Sequence, residues 1–267
     1  MMIDMDHVSG LIRAAVEAKI LPRFRNLTAG DVAQKGPNDP VTIADIEGEE
    51  MLSRLLLETY PGTLVVGEEL VSREPAVLDA LLGDTPVWVI DPVDGTLNFS
   101  EGNPVFGTIL AYVVGGETKA GWVHDPINNV TVTGLLGGGA WCDGRRLEVD
   151  KATPLDQSVG SAYWTPGDWM QPDPALAESG LFGEILNHRC SAADYIDLAL
   201  GRRQFVLSQG SKPWDHAAGV LITREAGGLT GFLEGADYSV TELDSRVVAT
   251  STEEAMRAIC EVADRAG

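Results

Sequence analysis

Apolar residues recur at the three- and four-residue spacing of one helix face in the first segment of the chain, residues 4–26. These apolar residues are Val8, Leu11, Ile12, Ala15 and Val16. The spacing predicts an amphipathic helix. Pro22 is expected to end or kink it, because proline lacks the backbone N–H that an interior helix position donates. The following segment, residues 29–40, is rich in Gly, Pro, Asn and Asp and predicts a loop.

A second helix is predicted to begin after Thr42. This threonine suits a helix N-cap, and Asp45 lies three residues later, where the carboxylate of a capping box belongs. The apolar face of this helix consists of Ile43, Ile46, Met51, Leu52, Leu55 and Leu56. Short apolar runs bounded by Gly, Pro or Asp then predict strands. The predicted strands are residues 64–66, 87–90, 108–114, 118–124 and 130–133.

Helix and strand patterns alternate in the second half of the chain. The predicted elements are helix 191–200, strand 204–207, helix 214–226, strand 246–249 and helix 252–266. Such alternation is typical of an α/β layer. The pattern predicts an N-terminal α+β half, residues 1–148, and a C-terminal α/β half, residues 149–267.

The composition narrows the class of protein. The 267 residues carry a formal net charge of −21, which argues against a nucleic acid polymer as the partner. No run of about 18 apolar residues predicts a membrane span, and the first residues do not resemble a secretory signal, so a cytoplasmic protein is expected. Cys142, Cys190 and Cys260 are odd in number and far apart, which predicts reduced thiols.

Carboxylates follow predicted strands or begin predicted helices in three places: residues 67–69, 91–99 and 214–219. Asp91 and Asp94 flank a predicted tight turn, so their carboxylates can converge on one point with the Val93 carbonyl between them. Hard cations such as Mg²⁺ prefer oxygen ligands of this kind. Past the turn, the free N–H groups of Gly95 and Thr96 can face an anion.

Each of these acidic residues also has a purely structural interpretation. Asp91 or Asp94 could cap a turn, Asp45 could only cap its helix, and Asp215 could be favoured by the helix dipole. Glu68 and Glu69 could form a solvated strand end. Two other hydrolase classes find no support, because the chain has neither a Gly-x-Ser-x-Gly motif nor His and Cys residues at zinc-ligand spacing.

Four segments resemble, in the same order, motifs of a phosphatase family. They are residues 39–45 (DPVTIAD), 67–69 (GEE), 88–99 (WVIDPVDGTLNF) and 214–219 (WDHAAG), the last followed by EAGG at 225–228. The chain therefore resembles the inositol monophosphatase family, part of the lithium-sensitive phosphatase superfamily. The resemblance implies a layered αβαβα sandwich, the sugar phosphatase fold, usually as a homodimer. It also implies magnesium-dependent hydrolysis of a small phosphorylated metabolite, with two or three Mg²⁺ ions and a metal-activated water.

The resemblance further implies roles for individual residues. The metal ligands would be Glu68, Asp91, the Val93 carbonyl, Asp94 and Asp215. The catalytic residues would be Glu68, Thr96 and Asp45, the last two as a hydrogen-bonded pair beside the water. The substrate would be bound by the amides of Gly95 and Thr96 and by Ser191 and Asp215. Lys35 would lie in a segment that closes over the metals.

The substrate-binding part departs from the family pattern. The inositol enzymes of the family carry a glutamate before the Trp-Asp motif, and counting back without gaps places Ser208 there. Residues 201–213 contain no acidic residue at all. Residues 189–194 (RCSAAD) follow the family's Gly-Ser/Thr-Ala-Ala pattern only loosely. Inositol phosphate, histidinol phosphate, fructose 1,6-bisphosphate and adenosine 3′,5′-bisphosphate therefore stay open as substrates. Arg202 or Lys212 could contact a second phosphate or form solvated surface. A non-catalytic protein that binds metal or anions is the remaining alternative.

Overall fold

The computed structural model describes residues 3–36, 39–163 and 171–266. The elements of the first part are α1 (Met5–Ala15), β1 (Val32–Gly36), β2 (Asp39–Thr42), α2 (Ile43–Thr59), β3 (Leu64–Gly67), α3 (Glu68–Arg73), β4 (Val87–Asp94), α4 (Thr96–Ser100), β5 (Gly107–Val114), β6 (Glu117–Asp125), β7 (Val130–Leu135), β8 (Gly139–Cys142) and β9 (Arg145–Arg146). The elements of the second part are β10 (Val159–Ala162), α5 (Pro174–Glu178), β11 (Glu184–Leu186), α6 (Ser191–Ala199), β12 (Phe205–Leu207), α7 (Pro213–Glu225), β13 (Leu229–Phe232), β14 (Val247–Thr250) and α8 (Glu253–Ala266).

The predicted first helix is confirmed, with an irregular end. Helix α1 passes into a π-helical turn, Val16–Ile20, and then a 3₁₀ turn, Leu21–Arg23, that contains Pro22. The Asp4 side chain caps the start of α1 by accepting a hydrogen bond from the His7 N–H. The buried face of the helix packs against α2. The proline therefore ends the helix as the pattern predicted.

The prediction of a loop at residues 29–40 is wrong over most of its length. Strands β1 and β2 form an antiparallel hairpin, with Val32 opposite Thr42 and Ala33 opposite Val41. The tip of the predicted loop, residues 37 and 38, lies outside the described residues. Pro40 is tolerated because a two-stranded sheet has edges on which no N–H is needed. Strand β1 is formed by pairing with β2, which follows it in the chain. A local excess of turn-forming residues does not show this pairing.

A seven-stranded sheet, in the order β3-β4-β5-β6-β7-β8-β9, forms the centre of the first half. Only β3 and β4 run parallel. Along β4, Trp88 and Ile90 pack with residues of α1 and α2, whereas Val87 and Val89 pack with residues of α6 and α7. Because both faces of the sheet are covered, β4 is apolar at consecutive positions, as its sequence predicted.

The second sheet has five strands in the order β11-β10-β12-β14-β13. One of its faces shares an apolar cluster with α6 and α7, and the other packs with residues of α5 and α8. The layers are therefore α1/α2, the seven-stranded sheet, α6/α7, the five-stranded sheet and α5/α8. This confirms the predicted αβαβα sandwich. Strands β10, β11 and β13 were not predicted, because their short sequences carry no periodic pattern and their pairing is set by neighbouring strands.

Helix α7 lies so close to the seven-stranded sheet that the facing position on β6 has room only for glycine. A Cβ at Gly121 of β6 would lie 2.9 Å from the Ala218 Cα. Helix α7 belongs to the second half of the chain but packs against β5, β6 and β7 of the first. The two parts of the chain therefore share one apolar cluster. The division into halves between residues 148 and 149 stays a prediction.

Two predictions from composition can be compared with the structure. All three cysteines are free thiols, as predicted, and two of them are buried. Within the described part of the chain, none of the helices combines the length and the hydropathy needed to span a bilayer.

Candidate active site

Three carboxylates converge at one point of the molecule. Asp91, Asp94 and Asp215 each offer an oxygen, and these oxygens all lie within 4.8 Å of one another. Asp91 and Asp94 come from the end of β4, and Asp215 is the third residue of α7. Since α7 packs on the neighbouring strands, the fold brings together residues more than 120 positions apart. The dipole interpretation of Asp215 is compatible with this placement, because the residue lies in the first turn of its helix.

A β-bulge explains how Asp91 and Asp94 reach the same place. The strand was expected to end at Asp91, but β4 continues to Asp94 with an irregular register. Asp91 pairs with Ile109 and Asp94 with Gly107, so three steps along β4 match two along β5. Side chains three residues apart on a regular strand face opposite sides. The extra residue reverses this alternation, and both carboxylates lie on one face.

Thr96 and Asp45 form the hydrogen-bonded contact that the family resemblance implied. The Thr96 Oγ1 lies 2.9 Å from the Asp45 Oδ1 and 2.8 Å from the Val93 carbonyl oxygen. Asp45 also caps α2, since its Oδ2 accepts hydrogen bonds from the Thr42 N–H and hydroxyl. Burial, opposed by the Thr42 hydrogen bonds, raises the pKa of Asp45 to about 7. Near neutral pH this carboxyl can therefore either donate to Thr96 or accept from it.

Gly95 connects the bulge to the short helix α4 in a left-handed conformation, with φ of +83°. A Cβ at this position would lie 3.1 Å from the Val105 carbonyl oxygen and 3.2 Å from the Cys190 Cβ. Both the backbone conformation and the space therefore require glycine.

Glu68 lies at the start of α3 and is paired with a lysine from the hairpin. The Lys35 Nζ lies 2.5 Å from the Glu68 Oε1 and 2.9 Å from the Glu69 Oε1. Burial by itself lowers the pKa of Lys35, but the two carboxylates raise it above its ordinary value. The interpretation of these glutamates as a solvated strand end is wrong, because Glu69 is buried and the Lys35 ammonium neutralises part of their charge.

The N-terminus of α6 holds the Asp94 carboxylate. The Ala192 N–H donates a 2.6 Å hydrogen bond to the Asp94 Oδ2, and the Cys190 Sγ lies 3.0 Å from the same oxygen. Ser191, predicted to bind substrate, is the half-buried residue between them. Its role stays a prediction.

The site concentrates negative charge out of water. Burial and the charges of Glu68 and Asp94 raise the pKa of Asp91 well above its ordinary value. Burial raises the pKa of Asp94 to about 6, although hydrogen bonds from Ala192 and Cys190 oppose the shift. Burial and the Asp94 charge raise the pKa of Asp215 strongly as well. A group of hard oxygen donors that repel one another matches the ligand preference of a divalent cation such as Mg²⁺.

These raised pKa values predict how the metal-free protein responds to pH. In the unfolded chain the carboxyls titrate near their ordinary values of about 4, whereas in the folded chain Asp45 and Asp94 titrate near 7 and 6. Between the unfolded and the folded pKa values, the folded state holds protons that the unfolded state has released. The free energy of unfolding therefore falls as pH rises. With chelator present, we expect a lower Tm at about pH 8 than at about pH 6.5, the ordinary pKa of histidine, because below it the buried His124 and His216, whose pKa values burial lowers, oppose the trend. Added Mg²⁺ should raise Tm more at the higher pH, where protons no longer compete for the ligands. A Tm independent of pH and of Mg²⁺ in thermal unfolding scans would contradict the prediction.

The residues weighed for substrate recognition differ in burial and in their contacts. Ser208 is buried, and its hydroxyl donates to the Gly210 carbonyl and accepts from the Val247 N–H. Arg202 is exposed and pairs with Asp197. Lys212 is exposed immediately before α7, with its Nζ 5.6 Å from the centre of the Trp214 ring. Of the two candidates for a second phosphate, Arg202 already has a carboxylate partner.

A buried polar cluster beside α6 was not anticipated from the sequence. Asp194 is completely buried, and its Oδ1 accepts hydrogen bonds from the Ser161 hydroxyl and, at 2.6 Å, from the Arg203 Nη1. The Tyr163 hydroxyl donates to the other oxygen of Asp194 and accepts from the Cys190 N–H at 3.3 Å. The cluster therefore connects to the residues that hold Asp94. The apolar surroundings of Asp194 in the sequence carried no signal of it.

Comparison with known proteins agrees with this geometry. The family model described as "Inositol monophosphatase family" matches residues 5–267. Nus factor SuhB of Escherichia coli K12 is 32% identical over 240 residues, 86% of either chain. Inositol monophosphatase 1 of Solanum lycopersicum is 32% identical over 226 residues, 82% of this chain and 81% of the plant protein. The structure of the Thermotoga maritima IMPase superimposes with a TM-score of 0.83 at 28% identity, covering 98% of this chain and 99% of that one.

The fold and the site together define a class of protein: a layered αβαβα sandwich in which acidic residues from the end of β4 and the start of α7 converge. The chain belongs to the inositol monophosphatase family. This membership supports a phosphatase activity.

Proposed function

We propose that this protein hydrolyses a small phosphate monoester in a magnesium-dependent reaction. The observation that carries the proposal is the convergence of Asp91, Asp94 and Asp215 within 4.8 Å beside the Thr96–Asp45 contact. An isolated acidic turn would explain Asp91 and Asp94, but it would not explain a third carboxylate delivered by a distant helix.

Two or three Mg²⁺ ions would be held by five oxygen ligands, of which the carboxylates of Asp91, Asp94 and Asp215 lie together in the structure. These ligands are Glu68, Asp91, the Val93 carbonyl, Asp94 and Asp215. When bound, the ions would activate a water and stabilise the charge that develops on the phosphate. Glu68 would have to exchange its Lys35 partner for a cation, which makes the position of the β1–β2 hairpin part of metal binding.

The remaining groups would act on water and phosphate. The Thr96 hydroxyl and Glu68 would orient the attacking water. Asp45 would accept a proton through Thr96, whose hydroxyl lies 2.9 Å from the Asp45 Oδ1. The Gly95 and Thr96 N–H groups would bind phosphate oxygens, with Ser191 and Asp215 next to the rest of the substrate.

The class of substrate is a small phosphorylated metabolite. The relative from Solanum lycopersicum is named an inositol monophosphatase, which supports an inositol phosphate. The absence of an acidic residue from 201–213 leaves histidinol phosphate, fructose 1,6-bisphosphate and adenosine 3′,5′-bisphosphate as alternatives. A homodimer is also proposed from the family resemblance and can be tested by light scattering of the purified chain.

Phosphate release from purified protein tests the proposal. Each of the four candidate substrates would be assayed with Mg²⁺ and with chelator. We expect release from at least one of them with Mg²⁺, and none with chelator. No release from any of them, by a protein that is folded and monodisperse, would reject the proposal.

A non-catalytic binding protein is the second candidate. It is favoured by one observation, that several relatives carry the name Nus factor SuhB rather than the name of an enzyme. Such a protein would bind Mg²⁺ and inorganic phosphate, as calorimetry would show, but would release no phosphate from any substrate. All proposed ligands and the Thr96 hydroxyl are present in this chain, which favours catalysis.

A further inference from the structure

Cys190 is placed where its side chain can serve two partners. It immediately precedes α6 as the N-cap residue, with extended backbone dihedrals (φ −160°, ψ 106°). Its Sγ lies 3.5 Å from the Ala193 N–H, which is the capping contact. The residue is 2% exposed, so its thiol is held among protein atoms.

The same sulfur contacts a proposed metal ligand. The Cys190 Sγ lies 3.0 Å from the Asp94 Oδ2, an oxygen that also accepts the 2.6 Å hydrogen bond from the Ala192 N–H. At its ordinary pKa of about 8.5 a thiol is protonated near neutral pH, so it donates and the carboxylate accepts. Two donors from one helix terminus thus restrain the orientation of Asp94.

We infer that Cys190 is a positioning residue for Asp94 and that its thiol strengthens metal binding at the candidate site. This inference rests on the proposed function. The physical reason is that donors behind a metal ligand fix its rotamer before the cation arrives, so less conformational entropy is lost on binding. The family pattern has glycine before Ser/Thr-Ala-Ala, and glycine offers no such donor.

If Cys190 only capped α6, its substitution would change Tm but not Mg²⁺ affinity, because an N-cap supports its helix whether or not it contacts Asp94. Two substitutions separate the roles. Cys190→Gly removes the thiol but leaves a residue that caps helices almost as well as serine or threonine, at a cost of only a few tenths of a kcal/mol. Cys190→Ser keeps both the cap and a hydrogen-bond donor.

The decisive measurement is the dissociation constant for Mg²⁺, obtained by calorimetric titration of the full chain, alongside Tm in chelator. We expect Cys190→Gly to raise this constant about tenfold, the low end of the range for residues behind a metal ligand, since a thiol is a weak donor. Cys190→Ser should stay within about twofold of the unmodified protein. Asp4→Ala removes the N-cap of α1, far from the site in sequence, and should lower Tm without changing Mg²⁺ affinity.

Two failures can be told apart in this experiment. Unchanged Mg²⁺ affinity in Cys190→Gly, with normal Mg²⁺ binding by the unmodified protein, would overturn the inference and leave the proposed function standing. Absence of Mg²⁺ binding and turnover in the unmodified protein would overturn both. If Cys190→Gly does not fold, Cys190→Ala is titrated with Mg²⁺ instead, and an unchanged dissociation constant would again overturn the inference. The Tm that Cys190→Ala loses with its helix cap is compared with the Tm lost in Asp4→Ala.

Discussion

Replacing Asp94 by asparagine should lower kcat/KM for phosphate release about a thousandfold or more, equivalent to about 4 kcal/mol of transition-state stabilisation. The amide has nearly the size of the carboxylate but no negative charge for a divalent cation. Of its two polar atoms, only the oxygen can accept the hydrogen bonds that the Ala192 N–H and the Cys190 thiol now donate to the Asp94 Oδ2. The loss should therefore appear in turnover and in metal affinity together. Initial rates across a Mg²⁺ titration would measure both.

Stability should respond to Asp94→Asn in the opposite direction. Asp94 lies among carboxylates whose pKa values are raised by burial and by mutual repulsion, so removing one charge relieves that repulsion in the metal-free protein. In chelator we expect a Tm equal to or above that of the unmodified protein. Asp156→Asn, an exposed carboxylate outside the site, is the matched control and should change neither rate nor Tm. A rate for Asp94→Asn near that of the unmodified protein would remove Asp94 from the proposed ligand set.

Replacing Asp194 by alanine should lower the free energy of unfolding by about 3–5 kcal/mol. The carboxylate is the partner of Arg203, which is itself buried, and it also accepts from the Ser161 and Tyr163 hydroxyls. Removing it leaves a guanidinium and two hydroxyls without their acceptor inside the protein. Arg203 keeps its contacts with the His188 ring and the Ser161 hydroxyl, but its one remaining carboxylate contact among the described residues is the 3.2 Å contact with the partly exposed Asp197. Urea unfolding in the presence of Mg²⁺ would measure the change.

The neighbouring arginine provides the control for this prediction. Arg202 also pairs with Asp197, but on the surface, where such pairs contribute about 0–1 kcal/mol. Arg202→Ala should therefore be nearly neutral. The double variant Asp194→Leu with Arg203→Met should recover part of the loss, because replacing both buried charges leaves neither one unpaired. Asp194→Ala unfolding at the same urea concentration as the unmodified protein would mean that the cluster contributes little net stability.

Local sequence was informative where the chain's own neighbours decide the structure. Thr42 and Asp45 are three residues apart, and their capping box forms as predicted. The helical pattern of α7 gave both of its ends within one residue, and the apolar run of β4 gave the start of that strand but not its continuation to Asp94. Hairpin β1–β2 was missed, because turn-forming residues fill a segment whose strands are defined by pairing with each other.

For the candidate site, too, local sequence named the residues and tertiary packing brought them together. Motif order named Asp91, Asp94 and Asp215, but their convergence needed a bulge in β4 and the packing of α7 on the sheet. Neither feature is visible in a window of sequence. Glu49 illustrates what motif reading missed: it is buried on α2, accepts a hydrogen bond from the Glu69 N–H at 2.8 Å, and has its pKa raised to about 7 chiefly by burial.

Sequence alone identified the family, proposed the acidic residues of the candidate site and gave most of the longer helices and strands, because these depend on motifs and periodicities within short windows of the chain. Tertiary structure alone decided that Lys35 pairs with Glu68, that Cys190 contacts Asp94 and that Asp194 and Arg203 are buried as a pair. Lys35 and Glu68 are 33 residues apart, and Cys190 and Asp94 are 96 residues apart. Contacts at such separations follow from how the layers pack, and the burial that gives them their energy exists only once the layers are assembled.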